Sequence, residues 1–190
     1  MTPTLPPAPA PAPKSNTNKT VLIIVLVVVG LFLFCIICSG VLAAIAIPNY
    51  IKFNSRAKQS ECKATLKSLY LAQASYFAEK DDYGDTAEAV GFVTSGRTRY
   101  TYFGGPELIV APTDPQASQV TEGQLPILAG EALPGVEGEC PECHFTAACA
   151  ANIDSDGTLD VWSVSTQPRT HNGQPVAAGE LVHDVDDLEE

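Results

Sequence analysis

Six cysteines, three histidines and an Asp-rich turn are the residues in this chain whose types and spacing could support binding or reaction. Cys140-Pro141-Glu142-Cys143-His144 has the form of a c-type haem attachment site. That chemistry needs two thiols on one turn to add to the vinyl groups and an adjacent imidazole as axial ligand. His171 or His183 would supply the second axial ligand. Against haem c, the motif occurs once and stands immediately before a strand-like run. Zinc held by Cys140, Cys143, His144 and Cys149 is the alternative for a cytoplasmic domain. Asp154, Asp156 and Asp160 resemble part of a calcium loop, in which several carboxylates converge on one ion. Position 165 is Ser, where a full loop needs a bidentate Glu. A tight turn with solvated Asp side chains explains the same residues, and we expect neither metal nor haem. No nucleophile motif, phosphate-binding Gly loop or zincin helix occurs, so no catalytic role is expected.

The elements that would position these residues fall into four segments. Residues 1–20, MTPTLPPAPAPAPKSNTNKT, alternate Pro and Ala, a composition that favours extended polyproline conformations and builds no core. Val21–Ile47 is one run without a charge, longer than the roughly 20 apolar residues that cross a bilayer core. A signal-peptide core is usually only about 7–15 residues, so a retained transmembrane helix is the expected state. Pro48 then removes one helical hydrogen bond, and a kink is expected there. From Asn49 to Glu79 an apolar stripe of Phe53, Ala57, Cys62, Leu66, Leu69, Tyr70, Ala74 and Phe77 returns at helical spacing. The helix should stop near Lys80–Gly84, where Asp and Gly supply a turn.

Short strands follow. Arg99–Phe103 and the weaker Glu107–Ala111 precede a Gly/Pro-rich stretch, residues 112–143, that reads as a long loop. Phe145–Ile153 and Thr158–Thr166 flank Asp154-Ser155-Asp156-Gly157, a hairpin signal. Residues 167–190 read as an acidic tail. The domain, residues 48–166, is therefore expected to be α+β, with a long helix on a small antiparallel sheet. The face of Trp162 is left open.

Formal charge divides the chain. Before Ser68 there are seven Lys/Arg and one acid; after it there are four against 21, a net of −17. Such a domain repels nucleic acid, and no basic patch is present to neutralise phosphates. The charge asymmetry across the apolar run, with five basic residues from Lys52 to Lys67 on its C-terminal side, would by itself place the domain in the cytoplasm.

Gly40-Val41-Leu42-Ala43-Ala44-Ile45-Ala46-Ile47-Pro48-Asn49-Tyr50 resembles the inner half of a type IV pilin's N-terminal helix. So do the continuation from Ser55 to Asp85 and the later Asn152–Thr166. The likeness is to pilins of the myxobacterial kind. It implies a domain on the periplasmic side of a bacterial inner membrane, and the bilayer and other pilin-like subunits as partners. It also exposes a departure. By register from Pro48, the Gly that the leader peptidase requires falls on Leu26. The glutamate that pairs with a neighbouring subunit's N-terminal amine falls on Leu31. The expectation is a pilin-like structural protein that keeps its anchor and does not build a normal shaft. A processed pilus or pseudopilus subunit, or a haem electron-transfer module, is the alternative. In an exported domain Cys62, Cys140, Cys143 and Cys149 should form two disulfides. Cys62–Cys149 with Cys140–Cys143 is one pairing; a bridge from Cys62 to Cys140 or Cys143 stays open. Cys35 and Cys38, within the apolar run, read as small hydrophobes.

Overall fold

The computed structural model describes residues 17–153 and 157–187. They divide into two compact units, before and after the Asn49–Tyr50 junction. One helix, α1, runs Thr17–Lys80 and is continuous through Pro48.

In the second unit α1 turns a narrow face inward. Ser55, Gln59, Cys62, Leu66, Leu69 and Gln73 are buried, at steps of three or four residues. This corrects the apolar stripe read from sequence. Phe53 and Ala57 are exposed, and Ser55, Gln59 and Gln73 occupy inward positions. The helix ends as Asp81 enters the left-handed region (φ 55°) and its N–H bonds back to the Phe77 carbonyl at 2.8 Å. Gln73 fixes the next turn: its amide donates to the Gly84 carbonyl at 2.7 Å and accepts from the Gly84 N–H at 3.0 Å. A Cβ at Gly84 would lie 2.4 Å from a Val90 methyl, so only glycine fits there.

Among the described residues eight strands follow: β1 Thr101–Phe103, β2 Ile109–Val110, β3 Gly135–Glu137, β4 His144–Ala151, β5 Asp160–Ser165, β6 Arg169–His171, β7 Gln174–Val176 and β8 Leu181–Val185. The main sheet is antiparallel in the order β2-β1-β4-β5-β8, with β3 also paired to β4. Strand β4 is central and Ala-rich because both of its faces are covered, as expected of a strand that shows little alternation. Its Phe145, Ala147, Cys149 and Ala151 share one core with Leu66, Leu69, Tyr102, Trp162 and Val164. Ala148 and Ala150 share a second core with Phe103, Val120, Leu128 and Val161.

The second core explains residues 112–143. They do form an irregular connection, but Val120, Leu128, Ala129 and Ala132 are buried and make a third layer behind the sheet. Two short 3-10 turns, Glu122–Gln124 and Ala129–Glu131, and strand β3 give it local order.

Residues 167–187 differ from the acidic tail that the sequence reading expects. They form the β6–β7 hairpin and then β8, an edge of the main sheet. Asn172 (φ 49°) and Gly173 (φ 74°) both take the left-handed conformations that a two-residue hairpin turn requires. Asp184 in β8, and Asp186 and Asp187 just after it, accept from Ala129, Gln59 and Ile153, so charge there does not mean solvation.

Candidate functional site

The first unit offers one chemical surface. Among the described residues α1 is the one helix long and apolar enough to cross a membrane. From Val21 to Ile47 its side chains are outward on every side, apart from a half-buried Cys38. Every large apolar side chain there would meet water unless lipid or protein covers it, which is the signature of a bilayer-facing helix. Leu26 and Leu31 each stand 62% exposed on it. The Ser39 hydroxyl donates to the Cys35 carbonyl at 2.8 Å, so this polar group is satisfied within the helix, as lipid demands. Cys35 and Cys38 are free thiols. Gly30 and Gly40 have open space where a Cβ would stand.

The second unit is built around a buried carboxylate, Asp160, which the sequence offers as a calcium-loop acid or a solvated one. Asp160 begins β5 and is fully buried. Its Oδ2 accepts from the Tyr100 hydroxyl at 2.7 Å and from the Trp162 indole N–H at 3.0 Å. Its Oδ1 accepts from the Gln59 amide at 2.9 Å and lies 2.8 Å from His183 Nε2. Helix α1, β5, β8 and the residue before β1 thus converge on one anion. His183 also stacks on Trp162, with ring centroids 3.8 Å apart, and Lys63 Nζ lies 4.0 Å from the centre of the Trp162 ring. Trp162 therefore faces α1. Burial, and then the Asp160 charge, push the Tyr100 phenol well above its ordinary range; burial pushes Tyr102 up to about 12.

His183 and Asp160 form a possible ligand group with Asp186. Four donors already occupy the Asp160 oxygens, so the arrangement works chemically as a structural hub. Of the calcium residues proposed from sequence, Asp160 is this hub. Asp154 and Asp156 lie outside the described residues.

The sulfurs are joined in two bridges, Cys62–Cys149 and Cys140–Cys143, with Cα separations of 6.4 and 4.5 Å. The first ties α1 to the central strand. The second closes the short loop ahead of β4, where Asp82 lies close to both sulfurs. In this state neither Cys140 nor Cys143 has a thiol to add to a haem vinyl, and neither these two nor Cys149 has a thiolate for zinc. His144 starts β4 and is exposed, His171 bonds Asn172 at 2.9 Å in the β6–β7 turn, and His183 belongs to the hub.

Behind the sheet a second polar cluster went unread in the sequence. Buried Arg169 donates to the Ser163 hydroxyl at 2.9 Å. Asp184 accepts from the Ala129 N–H at 2.6 Å. A shift in register between β5 and β8, beside Val161 and Trp162, adds an extra residue to β8 at Asp184. Burial raises the Asp184 carboxyl above its usual range and lowers Arg169 from its own. These residues hold the third layer to the sheet.

No family model matches the chain. It is, however, similar to the type IV major pilin protein PilA of Myxococcus xanthus (strain DK1622). Identity is 35% over 159 residues, covering 66% of this chain and 72% of that protein. The chain belongs to the type IV pilin family. Its long helix on an antiparallel sheet is the pilin arrangement, and the apolar N-terminal half of that helix makes it a membrane-anchored pilin. The hub and the Cys62–Cys149 bridge hold the sheet to the domain half of α1.

Proposed function

We propose that this pilin is a structural, non-catalytic subunit that stays unprocessed in the bacterial inner membrane with its domain on the periplasmic side. The observation carrying the reading is Leu26 and Leu31 at the register positions of the peptidase glycine and the assembly glutamate. A leucine side chain offers no acceptor for a neighbour's amine, so the usual subunit pairing has no counterpart here. Other pilin-like helices are the expected partners. Gly30, Ser39, Gly40, Ala43 and Ala44 would permit close helix approach within lipid. Two disulfides in the domain support an oxidising compartment, against the charge asymmetry that favours the cytoplasm. Protease added to spheroplasts should digest the domain and leave a membrane-protected fragment containing Val21–Ile47. A domain that resists until the bilayer is dissolved would reverse the orientation.

A second reading, a processed shaft subunit, is favoured by the relative being a major pilin. It requires cleavage before Val27.

A further inference from the structure

Five basic side chains lie between Lys52 and Lys67, yet the structure uses them differently. Lys58 donates to the Ile153 carbonyl, Lys63 covers the Trp162 ring, and Lys67 donates to the Gly179 carbonyl beside the Tyr70 ring. Lys52 and Arg56 are exposed, and their side chains have no partner among the described residues. Next to them in sequence are two aromatics that the core does not use, Tyr50 at 70% and Phe53 at 75% exposure. At about 100° per residue, Lys52, Arg56, Phe53 and Tyr50 share one arc of roughly 160°. On the same scale the buried Ser55, Gln59, Cys62 and Leu66 take the adjoining arc of roughly 60°, with Lys52 at the edge nearest to it.

We propose that Lys52 and Arg56, with Tyr50 and Phe53, form a collar that binds anionic phospholipid headgroups. The inference rests on Val21–Ile47 lying in the bilayer. Lys52 and Arg56 follow Ile47 by five and nine residues, about 8 and 14 Å at helical rise. The first distance is within the headgroup zone, and helical side chains lean toward the N-terminus, which brings the longer Arg back toward it. Aromatic rings belong at that depth, and basic groups there are drawn to acidic lipid. Charge supplies the selectivity. The chain beyond Ser68 carries a net −17 and is repelled by an anionic surface, so the collar is where attraction is concentrated. It would hold the domain at the bilayer and recruit acidic lipid around the anchor.

The test uses the full chain in nanodiscs of mixed phosphatidylcholine and phosphatidylglycerol, with the lipids retained on release counted by native mass spectrometry. Phosphatidylglycerol should be enriched over its bulk share. The Lys52→Gln/Arg56→Gln variant should lose that enrichment, by about fivefold per basic residue, and high salt should weaken it in the parent. Lys80→Gln, at the far end of α1, should leave it unchanged. Bulk proportions in the parent, or enrichment that survives in the double variant, would overturn the collar. So would a double variant that alters oligomer size in phosphatidylcholine alone without changing lipid selectivity, which would assign this face to a second copy. A parent that fails to enter nanodiscs would overturn the anchor and the collar together.

Discussion

Replacing Asp160 should be the most damaging single change in the domain. The carboxylate is fully buried and accepts from Tyr100, Trp162 and Gln59, with His183 at 2.8 Å. Asp160→Ala leaves these groups facing a cavity. An unsatisfied buried donor costs about 1–3 kcal/mol, and removing one member of a buried charged cluster costs about 3–5 kcal/mol once water and relaxation are allowed for. We expect about 4 kcal/mol, a large share of the roughly 5–15 kcal/mol that holds a domain folded. Asp160→Asn keeps the shape but turns an NH2 toward two donors, and should cost about 2–3 kcal/mol. Tyr100→Phe removes one charged hydrogen bond and leaves the carboxylate its other partners, at about 1.5–2 kcal/mol. Trp162 is the one tryptophan and touches the hub directly, so its fluorescence reports the transition. The assay is urea unfolding of the full chain in a mild detergent, bridges intact. A loss under about 1 kcal/mol for Asp160→Ala, with native Trp162 emission retained, would refute the hub.

Other consequences are open to measurement. Opening Cys62–Cys149 with paired alanines should cost about 4.5 kcal/mol by loop entropy for its separation of 87 residues, against about 2 kcal/mol for Cys140–Cys143 at a separation of three. A larger fall in Tm from opening the short loop would contradict that order. Tyr100 and Tyr102 are pushed up by burial, so the folded state keeps protons that the unfolded state releases above about pH 10. Stability should fall as pH rises through that region, and tyrosinate absorbance of the folded domain should be unchanged in Tyr100→Phe/Tyr102→Phe. Asp184 is raised, so its contribution is greatest below the unfolded carboxyl value, near pH 4, and is lost as pH rises through the folded one. Relative to the parent, Asp184→Asn should therefore gain stability between pH 4 and neutrality; a slope of the opposite sign would show that pairing with Arg169 outweighs burial.

The parts of the fold legible in the sequence were those with a local signal. An uncharged run, a helical stripe ending at Asp81, and two apolar segments around an Asp-Gly turn each announce an element without reference to anything distant. The inward residues of α1 were less legible because Gln59 and Gln73 are inward for their partners, Asp160 and Gly84, and hydrophobic periodicity carries no information about those. The role of Asp160 is hidden for the same reason. An acid beside a turn looks solvated until Tyr100, 60 residues upstream, is known to bond it. In residues 167–187 a usable signal was present. Asn172-Gly173 between short extended segments marks a hairpin, and Leu181, Val182 and Val185 mark a strand, but the acids around them suggested a tail. The bulge that turns Asp184 inward has no local signature at all.

On the function proposed above, this pilin keeps its anchor uncut and its domain oxidised. Intact mass spectrometry of the protein extracted without reductant from its native host's membranes tests it most directly. The expected species still carries the residues up to Leu26, with the domain four hydrogens lighter than its reduced form, two for each bridge. A chain beginning at Val27 would contradict it and make this protein a processed pilin.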